Sequence, residues 1–245
     1  MIFRKTALAT ALTVALAGGV TGVSTLSASA ATPRCGGHCI DIYSKKLGTA
    51  DDPRFVETVL HGVARAGQPT VLHRAGGTDP AEDFLPHLAK VSDFHRAGLV
   101  SAAVNRHYGN LHAAQIQYAP SGRPSGLCAA LATTAYEGEG LTLQPCDLPG
   151  RTVWIVDTAD SPSTAAQGFF PLVNGSTRDF VHPFAMTVPE HGRLDGTHAR
   201  YHTRAHHHPR AHHHPRAQIQ VRRLAGDPGH VPDGQLWGTK LGILK

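Results

Sequence analysis

Glycine and proline decide first what this chain can become. Its 245 residues include 26 glycines and 17 prolines, which cut the sequence into short apolar or alternating runs at 55–60, 70–72, 114–118, 141–143, 153–156 and 218–221. Short runs bounded by turn-forming residues read as strands, because a helix needs its apolar periodicity sustained over several turns. One stretch departs from the pattern. Between residues 86 and 107, apolar residues at Leu88, Val91, Phe94, Leu99 and Val104 predict one short helix, interrupted at Gly98. The expected class is all-β.

The N-terminus carries the parts of an export signal in order. Arg4 and Lys5 precede an uncharged apolar stretch over 7–23, and Ala28-Ser29-Ala30 supplies the small-x-small pattern that a signal peptidase accepts. The apolar stretch is about 17 residues, broken by Gly18, Gly19 and Gly22, which is short for a span of roughly 20. Residues 1–30 are therefore expected to be a cleaved signal peptide. Thr32-Pro33-Arg34 before Cys35 does not resemble a lipoprotein processing site, so a free extracellular product is expected, with no membrane attachment after cleavage. The remaining chain divides into an N-terminal segment, 31–50, and a single domain, 51–245, with an insertion at 198–217. Loss of the two cations Arg4 and Lys5 takes the formal net charge from +5 to +3. The basic residues are scattered, whereas nucleic-acid binding wants them focused on one face.

Four cysteines follow the signal: Cys35, Cys39, Cys128 and Cys146. An even count in an exported chain favours disulfides. Three pairings are open, of which Cys35–Cys39 with Cys128–Cys146 is the simplest. The latter bridge closes a loop of about 19 residues and stabilises by about 3 kcal/mol on the chain-entropy estimate. Zinc on Cys35, His38 and Cys39 is the rival reading, but a structural site wants four ligands and no second pair has matching spacing.

Three stretches share an order of apolar run, Asp/Pro/Gly turn and aromatic. They run from Gly67 to Phe84, from Gly138 to Trp154 and from Gln218 to Trp237. Phe84 and Trp154 are 70 positions apart, and Trp154 and Trp237 are 83, or 63 with the 20-residue insertion set aside. Units of similar length, each ending in Phe84, Trp154 or Trp237, suit a pseudo-threefold barrel with those aromatics in a shared core.

The second unit, with Ser125-Gly126-Leu127-Cys128, Leu141-Thr142-Leu143-Gln144-Pro145-Cys146 and Val153-Trp154, resembles one repeat of the ricin B-type β-trefoil lectins. Gln235-Leu236-Trp237 matches that family's Gln-x-Trp element, and Thr152-Val153-Trp154 and Glu82-Asp83-Phe84 look like degenerate versions. The chain also resembles secreted actinobacterial proteins with such repeats. The resemblance implies a β-trefoil, a bridge between Cys128 and Cys146, and a lectin-like module without catalysis. A sugar site of this family needs an early Asp, an aromatic platform and a downstream amide, and no single unit supplies all three. Units here are also longer than the family's repeat.

Residues 198–217 contain Arg204-Ala205-His206-His207-His208-Pro209, repeated as Arg210-Ala211-His212-His213-His214-Pro215. No large apolar residue anchors this tandem run, so a disordered loop within the third unit is expected. Its imidazoles suit Zn, Ni or Cu, and their charge rises as pH falls through about 6.5. His206, His207, His208, His212, His213 and His214 are thus candidate ligands, at least for adventitious metal. The bland alternative is a slippage expansion that a loop tolerates. No cofactor is expected.

Catalytic signatures are thin. The chain has no His-Glu-x-x-His, Gly-x-Ser-x-Gly, Ser-x-x-Lys or phosphate-binding glycine loop. Asp51-Asp52 and Glu82-Asp83 sit in Pro-flanked turns, where solvated turns or caps are the commoner use, and His107-Tyr108-Gly109 reads as an exposed turn. The expectation is a non-enzymatic extracellular binding module for a carbohydrate or a protein surface. The alternatives are an inhibitor or protein-interaction module presenting loops such as 119–124, and a metal binder acting through the histidine run.

Overall fold

The short runs become strands. The computed structural model describes residues 35, 38–49, 51–76, 79–159, 161–189, 217–226 and 230–241. Its strands are β1 (Ile40–Ser44), β2 (Phe55–Val59), β3 (Thr70–Arg74), β4 (Phe84–Lys90), β5 (His112–Tyr118), β6 (Leu127–Ala130), β7 (Thr142–Pro145), β8 (Val153–Val156), β9 (Leu172–Asn174), β10 (Phe184–Thr187), β11 (Gln220–Arg223) and β12 (Trp237–Leu241). The helices are α1 (Val91–Arg96), α2 (Ala102–Tyr108) and α3 (Pro162–Ala165). The helix expected over 86–107 is thus two, because Pro86 and Leu88 belong to β4 and the link between the helices includes Gly98 at φ +76°.

Six strands close a barrel in the order β1-β4-β5-β8-β9-β12. Each neighbouring pair is antiparallel, and the last gap is bridged where Phe170, just before β9, exchanges two backbone hydrogen bonds with Trp237 (3.0 and 3.1 Å). The remaining strands form three hairpins, β2–β3, β6–β7 and β10–β11. These hairpins meet in a ring. Leu143 N donates to Gln68 O (2.7 Å), Leu72 N to Ala217 O (3.0 Å) and Val221 N to Glu139 O (2.9 Å). A barrel capped by three equivalent hairpins is a β-trefoil, and the chain is all-β with this trefoil-like arrangement.

Two boundaries differ from the sequence reading. β1 falls in the segment 31–50, which the sequence sets outside the domain, because the barrel closes only with a strand between β12 and β4. Ala217, counted with the histidine insertion, is buried and takes its place in the hairpin ring. The export segment 1–30 and the six insertion histidines lie outside the described residues. Cys35 pairs with Cys39 and Cys128 with Cys146.

Phe84, Trp154 and Trp237 occupy corresponding places on the fourth strand of each unit, and all three are fully buried in one core cluster. A buried indole needs an acceptor for its N–H. Trp154 Nε1 donates to Ala129 O and Trp237 Nε1 to Met186 O, each at 2.8 Å. Both acceptors sit on the first strand of their unit's hairpin, so each indole ties barrel to cap.

The residue two positions before each aromatic has its own task. Gln235 Nε2 donates to Arg223 O (3.0 Å), and its Oε1 accepts from Ala225 N (2.8 Å). Thr152 Oγ1 donates to Cys146 O (3.1 Å), and Glu82 Oε1 accepts from Gly76 N (2.8 Å). In every unit a buried polar side chain binds the backbone just beyond the hairpin's second strand. The degenerate versions of Gln-x-Trp keep this function with different chemistry.

One position breaks the symmetry of the cap. The strand registers pair Leu72 with Glu57, Leu143 with Ala129 and Val221 with Met186. Glu57 therefore stands where the other units place an alanine and a methionine. It is fully buried beside the Thr70 hydroxyl, and neither carboxyl oxygen has a hydrogen-bond partner of normal geometry. Burial pushes its carboxyl from 4.5 up to about 7, with Thr70 acting weakly the other way. The folded state thus holds this proton more tightly than the unfolded chain does. The stabilisation is complete below 4.5 and is lost as pH rises through about 7. Urea unfolding is expected to show the native chain losing about 3 kcal/mol from this group between roughly pH 4.5 and pH 8. Glu57→Met should remove that dependence and raise stability at the alkaline end.

Candidate functional site

Helices α1 and α2 lie outside the barrel. Ser101 Oγ caps α2 by accepting from Val104 N (3.2 Å), which fixes where that helix begins. Val91, Phe94, Val104 and Tyr108 then pack on Ala113, Val153, Ile155 and Val173, whose side chains alternate with the core-facing ones along β5, β8 and β9. The insertion so buries a barrel face that an isolated trefoil unit would leave to solvent.

Where α2 ends, a cleft of about 390 Å³ opens. His107, Tyr108, Asn110 and Leu111 form one side; Asp157 and Phe180 face the same space from the connections after β8 and β9. Val181, Leu224 and Val231 complete an apolar rim. His107 stacks on Phe180 with ring centroids 4.9 Å apart and planes at 28°. Tyr108 meets His107 edge-on at 4.5 Å and Phe180 at 6.0 Å. The result is an aromatic wall built from two remote parts of the chain.

The polar groups are placed with equal care. Asp157 is only 2% exposed, and its Oδ1 accepts from Ala159 N (3.1 Å) while its backbone N–H donates to Pro171 O (3.0 Å). Asn110 is exposed at the end of α2. The Phe180 loop is held by Asp179, whose Oδ1 accepts from the backbone N–H groups of Val181 and His182 at 3.0 Å each. Arg223 Nη1 donates to Asp179 Oδ2 (2.5 Å) and to His182 O (3.2 Å), and its guanidinium lies over the Phe184 ring at 5.1 Å. These hydrogen bonds, first from His182 and Val181 and then from Arg223, hold the Asp179 carboxyl below its ordinary 3.8. A ring presented on a loop so tied is set for contact before any ligand arrives.

The sequence-derived candidates fall elsewhere. Phe84, Trp154 and Trp237 serve the core, and the disulfide cysteines serve the scaffold. Glu82 and Asp83 are buried structural acceptors; Asp83 Oδ2 takes the Ser121 N–H at 2.9 Å. The 119–124 loop starts from the fully buried Ala119, whose carbonyl accepts from Gly122 N (2.8 Å), and leaves Arg123 and Pro124 exposed. Residues 107–109, expected as a bare turn, supply the cleft's His107 and Tyr108. Asn110, Asp157 and Phe180 carried no sequence signal, because they lie 23 to 70 positions apart and no motif joins them.

No family model matches the chain, and no curated protein matches it. Among solved structures it is similar to a designed three-fold symmetric protein, ThreeFoil, at 12% identity and a TM-score of 0.49, covering 83% of this chain and 98% of that one. It is also similar to the mdaA-1 domain, at 13% identity and a TM-score of 0.43, covering 84% and 91% respectively. The trefoil assignment rests on the barrel closure and hairpin ring of the chain itself.

Asp179→Ala is expected to speed hydrogen exchange at the Val181 and His182 amides while leaving global stability nearly unchanged, since the pair is exposed. Exchange measured by NMR separates this local loosening from unfolding.

Proposed function

We propose that this protein is an exported, non-catalytic binding module whose α2 cleft takes a carbohydrate. The observation that carries the reading is the aromatic wall of His107, Tyr108 and Phe180 beside Asp157 and Asn110. A pyranose has an apolar C–H face and a rim of hydroxyls. The ring surface suits the first, and a carboxylate with an amide suits the second.

The surroundings support the same reading. Ring and carboxylate are anchored on the barrel and on the pinned Phe180 loop, so binding costs little ordering. The two disulfides suit an oxidising compartment, in line with the export signal read at the N-terminus. Among the described residues no helix is long and apolar enough to cross a membrane.

A second reading, in which the partner is a protein surface, draws on Val181. This side chain is 80% exposed on the cleft rim beside Phe180, and an apolar residue left so open suits a protein contact. Glycan-array binding with free-sugar competition separates the two. The expected result is a competable set of glycans whose affinity falls about tenfold in Phe180→Ala and falls also in Asn110→Ala. A blank array removes the carbohydrate reading. Binding to an extracellular protein that Val181→Asp abolishes would establish the second.

A further inference from the structure

The β2–β3 hairpin differs from its two counterparts in two respects, and both fall on one residue. In the second and third units, the residue opposite Leu143 or Val221 is Ala129 or Met186. Its carbonyl receives the indole N–H of Trp154 or Trp237 at 2.8 Å. The first unit has Glu57 at that place and Phe84 in place of the tryptophan. A phenyl ring has no N–H to donate. The hairpin that buries a carboxyl is therefore the one that lacks the indole tie to the barrel.

Three oxygens are left over at this point. Both carboxyl oxygens of Glu57 and the neighbouring Thr70 hydroxyl are buried without a hydrogen-bond partner of normal geometry. By strand alternation Glu57 shares its face with Val59 and Leu72, which belong to the main core cluster. A neutral carboxyl can be housed there at a cost. A carboxylate without a partner is far more expensive to keep out of water.

No counter-charge offsets it among the described residues packed against the hairpin. His73 and Tyr43 pair in register with Val56, on the opposite face of β2, and Asp41 shares the side of Tyr43. Arg74 has the same face as Glu57 but stands exposed at the end of β3. Asp79, Glu82 and Asp83 accept from the backbone N–H groups of Ala81, Gly76 and Ser121. Tyr118 donates to Gly62 O at 3.0 Å. On the neighbouring hairpins, Glu139 accepts from Thr133 N, Arg222 faces Glu137, and Arg223 is bound to Asp179.

The cap ring has two separable sets of bonds. The first unit's hairpin is held by Thr70 N to Leu141 O (3.0 Å), Leu72 N to Ala217 O (3.0 Å), Leu143 N to Gln68 O (2.7 Å) and Ile219 N to Thr70 O (3.1 Å). The other two hairpins have their own seam, in which Leu141 N donates to Ile219 O (2.7 Å) and Val221 N to Glu139 O (2.9 Å). Breaking the first set, with the Tyr118 bond to Gly62, leaves the second set and both indole ties intact.

We propose that Glu57 is a proton-operated latch on the cap. With its proton, the β2–β3 hairpin stays in the ring. On losing it, the hairpin leaves the ring as a unit and water reaches the carboxylate, while the barrel and the other two hairpins remain closed. The opening uncovers Val59 and Leu72 of the shared core. The sign follows from burial, which pushes the closed-state carboxyl from 4.5 up to about 7. The closed form is thus favoured in acid, and its advantage is lost as pH rises towards about 7.

The test is residue-resolved amide hydrogen exchange on the full chain from about pH 5 to pH 8, with the intrinsic pH dependence of exchange divided out. The comparison variant is Glu57→Gln, which keeps the shape and cannot ionise. The Thr70, Leu72, Leu143 and Ile219 amides are expected to exchange as one group, about tenfold or more faster than those of Leu141 and Val221. Protection of the group should fall about tenfold per pH unit up to about 7 and then level off, as release of one proton requires. In Glu57→Gln it should be independent of pH. The Glu57 carboxyl carbon, followed by ¹³C NMR in the native chain, should titrate towards the pH at which protection levels off. Exchange of the four amides at the rate of Leu141 and Val221 at every pH makes the opening global and overturns the proposal. So does a pH dependence that survives Glu57→Gln, or a carboxyl that titrates outside the range of the exchange step.

Discussion

None of the three units can bury its own aromatic. Phe84, Trp154 and Trp237 each start or sit on a barrel strand, and each is covered only when the other two units close around it. A repeat that cannot cover its apolar face alone makes folding an all-or-none matter of assembly. The two tryptophans add direction to this burial. Their N–H groups reach carbonyls on β6 and β10, so forming the core also sets where the cap hairpins stand. Unit one has Phe84, which needs no acceptor. It is in that unit that the matching hairpin position is occupied by Glu57 in place of an apolar side chain.

The departures from threefold symmetry carry the features with chemistry in them. The insertion between β4 and β5 covers one barrel face and brings His107 and Tyr108 to Phe180. The corresponding connection of the second unit, between β8 and β9, holds the one-turn α3 in place of this pair of helices. The first unit adds its own exceptions: a buried carboxyl under the cap and a histidine with left-handed backbone. Core positions are constrained alike in all three units by close packing. The loops and insertions, which bear no such constraint, are free to differ and so to hold specific sites.

The fold was legible to the extent that it is periodic. Gly/Pro spacing announced short strands, and the run over 153–156 is β8 without adjustment. Gln235-Leu236-Trp237 announced a repeat because a buried indole and a buried amide leave a readable trace. The equivalent roles of Thr152 and Glu82 left almost none, since a hydroxyl, a carboxylate and an amide can each cap the same backbone groups. β1 went unread for a different reason. Its short run resembles any other, and its membership of the barrel depends on β12, which lies about two hundred positions away.

The sequence by itself determined class and covalent frame: short strands from glycine and proline, an even set of cysteines, and aromatics at comparable places in three units. These are local or compositional properties, and each acts through neighbours a few residues distant. Tertiary structure alone decided where the chemistry sits. Asp157 and Phe180 line one cleft because β8 and β9 are barrel neighbours, and His107 joins them there because α2 packs across that same seam. Such a cleft is created by the angle and closure of the barrel, and no spacing along the chain encodes it in readable form.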